Sequence, residues 1–353
     1  MRSCKPFVKE EELAVIRHAF DFAVTVQKDD IYDPGIVHAM KIAKIATDEI
    51  GLGASSIAAA ILHNIIDSNV VTLDQLRKEF GDTIAQLVSG YSKLSQMPTD
   101  RISLQSDRFR KLFLTVVEDI RVILIKLAHR VYDMRIIEQL PEKKQVKFTN
   151  EVVHLYIPIA HRLGLYKVKT ELEDLYMHYA HVDIYNSIQE KLDDTRDKRT
   201  QFIDEFIDPV EKELKKQSIG YEIKGRPKAI PSIWDKMKRQ DFELEQVYDL
   251  FAIRIILDST PENEKSDCWK IYSIVTNIYP PNPKRLRDWI SSPKASGYES
   301  LHTTVQGANN KWVEVQIRSK RMDEIAERGQ AAHWRYKGFD RKEDADVWLG
   351  QVR

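Results

Sequence analysis

At 353 residues the chain is long enough for about two domains. Lysine plus arginine and aspartate plus glutamate both number 54, so the formal net charge is zero. No global field therefore draws the chain to DNA or to a membrane surface, and any phosphate ligand must meet a local basic cluster.

Cys4 and Cys268 are too few and too far apart for a disulfide framework. The N-terminus turns acidic at Glu10, Glu11 and Glu12, where a signal peptide would turn apolar. The longest apolar stretch, IRVILIKLA, is broken by Arg121 and Lys126, well short of the roughly 20 residues that span a bilayer. The expectation is a cytoplasmic protein.

From Glu10 to about Ala180, apolar residues recur at helical spacing, as in IRHAFDFAV, SIAAAILHNII and EVVHLYIPIAHRLG. Thr72 caps LDQLRKEF, and Asp82-Thr83, after Gly81, precedes IAQLV. A charged stretch from Ile184 to about Gln217, interrupted by Pro209, reads as a helical connector. After Gly220 the pattern turns to strands (YEIKG, VYDLFAIRIILD, SLHTTVQG, KWVEVQIRS), with helices IPSIWDKMKRQ, DCWKIYSIVTNIY and SKRMDEIAERGQAAHWRYK between and after them. The fold class is α+β multidomain: an all-helical domain over 1–180, a connector over 181–218, a mixed α/β domain over 219–340 and the start of an extension over 341–353.

KWVEVQIRS alternates, with Val313, Val315 and Ile317 apolar and Glu314, Gln316 and Arg318 sharing the other face. A solvated sheet face and a site face both fit that pattern. Asp249 opens the apolar strand DLFAIRIILD, where a carboxylate is costly unless paired or metal-bound. Two carboxylates from neighbouring strands suit a Mg²⁺ that carries nucleotide phosphates. GRPK leads into a helix beginning near Pro231, on which Ser232, Lys236 and Arg239 share a face. That face and the helix N-terminus suit a polyphosphate, although an ordinary basic outer face has the same spacing. The following loop carries Lys284, Arg285, Arg287 and Lys294 before Gly297-Tyr298. There Tyr298 either stacks on a base or packs the loop.

The ordered motifs GRPKAIPSIWDKM, VYDLFAIRIILD, SPKASGYESLHTTV, WVEVQIRSKRM and AAHWRYKG closely resemble the synthetase domain of the RelA/SpoT homologues. ILHNIID, RVILIKLAHRVYDM and YIPIAHRLGLYKVKTELEDL resemble that family's HD-type hydrolase domain. The resemblance implies a nucleotidyltransferase-like sheet that makes (p)ppGpp, with ATP as pyrophosphate donor and GTP or GDP as acceptor. On the donor side it implies Arg226 against adenine, with Lys228, Ser232, Lys236 and Arg254 also binding ATP. Asp249 and Glu314 would anchor Mg²⁺, with Glu314 taking the acceptor's proton. Tyr298 would stack on guanine, and Lys294, His302, Arg285, Arg287 and Gln316 would serve the acceptor. Two departures stand out: Ala229 and Pro231 replace aromatic or His residues, and Arg285-Leu286-Arg287-Asp288 has Arg for Lys in a basic acceptor loop.

An HD-type hydrolase holds one Mn²⁺ with two His and two Asp, and a Glu-Asp pair positions water. His38 and His63 match the histidines. Asn64 stands for the first Asp, Asp67-Ser68 for the Glu-Asp pair, His129 for the distal Asp, and Asp133 for an Asn that normally follows. Lys28, Asp29 and Ile31 replace a basic pair and a glycine. Hydrolysis is therefore expected to be lost and Mn²⁺ absent, because a neutral Asn and three imidazoles leave that ion's charge uncompensated. A tris-histidine zinc site and a retained hydrolase with altered metal chemistry are the rival readings, and a non-enzymatic alarmone-binding module is a third. Relatives continue into regulatory domains that contact the ribosome, so the resemblance implies an N-terminal catalytic fragment.

Overall fold

The helical periodicity of the first half is realised as α1 (Glu10–Val26), α2 (Pro34–Ile45), α3 (Ala54–Ile61), α4 (Leu73–Ser95), α5 (Ile120–Arg135), α6 (Glu142–Glu151), α7 (Ile157–Arg162) and α8 (Tyr166–Ala180). The computed structural model describes residues 10–26, 34–66, 71–97, 119–244, 247, 250–294 and 296–328. Lys28, Asp29, Ile31, Asp67, Ser68, Asp249 and the AAHWRYKG motif lie outside the described residues, as does the extension expected over 341–353. Among the described residues no helix is long and apolar enough to cross a membrane.

The stretch IRVILIKLA becomes the buried helix α5, with Ile120, Val122, Ile123, Leu124, Ile125 and Leu127 all enclosed. Its one early charge is answered locally, because Asp119 both caps the helix and pairs with Arg121 at 2.7 Å. At the start of α4, the Thr72 hydroxyl accepts the Gln75 N–H and the Thr72 N–H donates to the Gln75 side chain, a closed capping box. The second start expected at Asp82-Thr83 is a break inside α4, where Gly81 takes φ 79° and ψ 172°.

The chain divides into two compact units, one taking in the described residues up to Tyr176 together with Arg328 and the other spanning Met177–Glu327. In the second unit α9 (Val182–Asp194) and α10 (Arg196–Leu214) precede β1 (Gly220–Pro227), α11 (Ile230–Gln240), β2 (Phe251–Asp258), α12 (Glu264–Ile278), β3 (Arg287–Asp288), β4 (Leu301–Gln306), β5 (Trp312–Ser319) and α13 (Lys320–Arg328). Pro209 does not interrupt the connector as expected; α10 runs through it. The reason is packing: Phe206, Val210 and Leu214 line one stripe of α10 and enter the sheet's core, offsetting the lost backbone hydrogen bond.

The five strands lie in the order β1-β2-β5-β4-β3. β2 and β5 pair parallel and the other neighbours antiparallel, so the sheet is mixed. Alternation sorts it into two faces. Ile253, Ile255, Leu257, Val313, Val315, Ile317, Leu301 and Val305 pack with α10 and with Cys268, Ile271 and Val275 of α12. Gly225 belongs to this apolar side, where an added Cβ would come 3.0 Å from Ile203 of α10. The opposite face carries the polar residues.

Candidate functional site

Strand register decides which polar residues meet. One row across the sheet reads Arg226, Ala252, Glu314, Thr304, and the next reads Lys224, Arg254, Gln316, His302, Arg287. Residues opposite one another share a face, so residues widely separated in sequence converge on Glu314. A cavity of about 330 Å³ opens here, lined by Arg285, Arg287, His302, Thr304 and Glu314.

Within that cavity, a hydrogen-bond chain fixes the protonation states. The Tyr298 hydroxyl meets His302 Nε2 at 2.7 Å, and His302 Nδ1 lies 3.1 Å from Glu314 Oε1. Gln316 Nε2 donates to the same carboxylate oxygen at 2.8 Å. Burial pushes the His302 imidazole down in spite of the neighbouring carboxylate, so the ring is neutral at pH 7. A neutral ring accepts from Tyr298 at Nε2 and donates to Glu314 from Nδ1. Burial alone would raise the Glu314 carboxyl, but hydrogen bonds from His302 and Gln316, with the nearby Lys228 charge, outweigh it and hold the group down at about 2. Glu314 is thus a fixed anion whose Oε1 takes both of these bonds.

Around the chain sits an aromatic group. Trp289 meets Tyr298 edge-on at 5.6 Å and His302 at 4.6 Å. The Lys294 ammonium lies 4.0 Å from the Trp289 ring centre and 5.0 Å from that of Tyr298. Burial pushes the Tyr298 hydroxyl up and the Lys294 ammonium down. Sequence reasoning missed Trp289, although a Trp directly after Asp288 in a cation-rich loop was the available signal.

The donor-side candidates divide. Lys228 continues from β1 with its backbone N–H on Leu250 O at 2.9 Å, and Ser232 and Lys236 lie on α11, whose first turn contains Pro231. Arg239 pairs with Asp235 at 2.8 Å on the exposed side of α11. Arg226 stands at the edge of the polar face, on β1. Arg254 is 4 % exposed and bound by the α13 carboxylates, 3.3 Å from Asp323 and 2.7 Å from Glu327. Arg318, 1 % exposed, shares Asp323 at 2.7 Å. Arg254 Nε and Nη2 and Arg318 Nε are buried without hydrogen-bond partners, so the guanidinium pair retains unused donors. The solvated-face alternative for β5 therefore fails at Gln316 and Arg318, both of which are buried.

In the helical unit, His38 on α2, His63 in the turn after α3 and His129 on α5 come together, their ligand-capable nitrogens all within 4.8 Å of one another. Burial pushes all three imidazoles down, His63 and His129 furthest. Asn64 is exposed. Asp133 lies 3.4 Å from His129 Nε2 and accepts from Arg130 at 3.1 Å.

Residues 225–341 match a region found in RelA / SpoT proteins, and residues 18–166 match an HD domain. A GTP pyrophosphokinase of Myxococcus xanthus is 34% identical, covering 97% of this chain and 46% of that protein. A bifunctional (p)ppGpp synthase/hydrolase SpoT of Escherichia coli (strain K12) is 35% identical, covering 94% and 47%. The chain thus spans about half the length of these curated relatives. Among solved structures, a small alarmone synthetase 1 from Bacillus subtilis bound to its product pppGpp is 20% identical, with a TM-score of 0.32, and covers 47% of this chain and 89% of its own.

Proposed function

Because this chain belongs to the RelA/SpoT family, we propose that it synthesises (p)ppGpp from ATP and GTP or GDP. The observation that carries the reading is Glu314: an anion held at about 2, on the rim of a cavity whose other walls include Arg285 and Arg287. In the proposed step the acceptor 3′-oxygen bonds to the β-phosphorus of ATP, the bond from that phosphorus to the α,β-bridging oxygen breaks, and AMP departs with the electron pair. Glu314 takes the proton of the attacking hydroxyl. His302 and Gln316 orient its carboxylate, so the base is positioned before substrate arrives.

Arg285 and Arg287 receive the acceptor's phosphates, and the Tyr298–Trp289 pair, with Lys294 above it, offers a stacking surface for guanine. Lys228, Ser232, Lys236 and Arg254 receive the donor's phosphates, with Arg226 against adenine. Glu314 fits a divalent cation by charge, and we assign Mg²⁺ to it together with Asp249; when bound, the ion offsets phosphate charge during transfer. Nucleotide substrates fit a cytoplasmic setting. Synthesis is assigned to residues 219–340, the HD-type region to 1–180, and 181–218 joins them.

Hydrolysis by the two-His, two-Asp Mn²⁺ route does not fit the residues present. Asn64 is neutral and exposed, and the side chain that converges with His38 and His63 is the imidazole of His129, where the resemblance implies a carboxylate. We propose that this activity is lost.

Incubating the chain with ATP, GDP and Mg²⁺ tests the synthetase reading: AMP and ppGpp form together, and absence of AMP refutes it. With ppGpp and Mn²⁺ the expected result is no GDP; its release would restore the bifunctional reading.

A further inference from the structure

The His38, His63 and His129 cluster is independent of the synthetase reading and has a chemistry of its own. The three rings come from separate elements, so their convergence is a tertiary feature rather than helical spacing. His63 Nδ1 donates to the Ala60 carbonyl at 2.8 Å, which leaves Nε2 as a bare acceptor. That nitrogen is fully buried and has no hydrogen-bond partner. His129 meets the Tyr91 hydroxyl at Nδ1 and presents Nε2 to His38 Nε2 at 2.9 Å. Ligating histidines are ordinarily anchored in this way, one ring nitrogen on a carbonyl or hydroxyl and the other free for metal. A cavity of about 90 Å³ opens beside His129 and Asp133, enough for a water molecule.

We propose that His38, His63 and His129 bind one Zn²⁺ through their ring nitrogens, with a water in the fourth position next to Asp133. Zinc accepts neutral imidazoles in a tetrahedral set, whereas Mn²⁺ and Mg²⁺ favour carboxylate and water oxygens. Zn–N bonds of about 2.1 Å set tetrahedral nitrogens roughly 3.4 Å apart, so His38 and His129 need to part only slightly from 2.9 Å. Asp133 supplies the nearby negative charge, its other oxygen held by Arg130. The ion would pin α2, the turn after α3 and α5 to one another. The site replaces the Mn²⁺ site implied by the resemblance with one of different metal preference.

The test uses the full chain stripped with a chelator and titrated calorimetrically with Zn²⁺ and, separately, Mn²⁺. The expected result is one Zn²⁺ per chain, bound at least roughly 100-fold more tightly than Mn²⁺. Co²⁺ should give the intense visible absorption of a four-coordinate ion, and Zn²⁺ should raise the melting temperature. His63→Gln and His38→Gln should each weaken Zn²⁺ binding at least roughly 10-fold. If the buried His63 variant does not fold, the partly exposed His38 variant decides, with circular dichroism confirming its helix content. No stoichiometric Zn²⁺ binding, equal Mn²⁺ binding, or affinity unchanged in His38→Gln would overturn the proposal.

Discussion

His302 donates its Nδ1–H to Glu314 Oε1 across 3.1 Å, and through that bond an uncharged imidazole helps hold a carboxylate ionised beside two arginines. The Glu314 carboxyl lies below its ordinary value of 4.5, so its contribution to stability is present above about pH 4.5 and is lost as pH falls toward about 2. At neutral pH that contribution is on the order of 3 kcal/mol.

Removing the imidazole should therefore move a titration as well as a rate. In His302→Ala, the acid limb of kcat/KM for synthesis shifts upward by roughly one pH unit as Glu314 returns toward the ordinary range. Glu314→Gln loses roughly 100-fold or more in kcat with its fold retained. A pH–rate profile of AMP release distinguishes the two: an acid limb unmoved in His302→Ala would show that the bond does not tune Glu314.

Arg285 and Arg287 line the cavity beside Glu314, and the proposed reading gives them the acceptor's phosphates. Arg285→Ala should raise KM for GDP roughly 10-fold, about 1.4 kcal/mol, and leave KM for ATP nearly unchanged. Steady-state kinetics with each nucleotide varied in turn checks the asymmetry. Equal effects on both would move Arg285 out of the acceptor site.

The α13 carboxylates neutralise two buried guanidiniums, so the double variant Asp323→Asn, Glu327→Gln strands Arg254 and Arg318 without counter-charge. Its expected cost is roughly 2–4 kcal/mol, reduced from that of a fully buried pair because Glu327 is a third exposed. If Arg254 serves ATP phosphates, ATP should raise the melting temperature of the variant more than that of the parent. Thermal melts with and without ATP decide.

Gly81 tests backbone conformation in isolation, since an added Cβ meets nothing within 4 Å and φ is 79°. Gly81→Ala should cost about 1–3 kcal/mol from the backbone alone. Thr72→Ala, which opens the capping box, should cost about 1 kcal/mol. Urea denaturation of each variant measures both.

Local patterns in the sequence carried far. Period-two alternation put Glu314, Gln316 and Arg318 on one face of β5, and Thr72 announced the α4 cap. Partners from elsewhere in the chain were harder to read. Nothing within KWVEVQIRS tells a solvated Arg318 from one enclosed by Asp323, because that carboxylate comes from the next helix. Pro209 read as an interruption because local propensity opposes it, while the α10 packing that overrides it is tertiary. The pairing of Ala252 with Glu314 is a register fact, fixed only when β2 and β5 meet. His38, His63 and His129 were individually legible as replacements, but their convergence needed three elements folded together.

The parallel pairing of β2 with β5 also sets an order of events during synthesis of the chain. Antiparallel neighbours can join through a short turn, but parallel ones need a long crossover, here occupied by α12, β3 and β4. The row containing Ala252 and Glu314 therefore cannot close until translation has passed residue 314, although β1 can already rest against β2. Such non-local closure is slow compared with helix docking. A nascent chain thus holds its helical unit before it acquires the Glu314 face, so a truncation before β5 removes the face outright instead of weakening it.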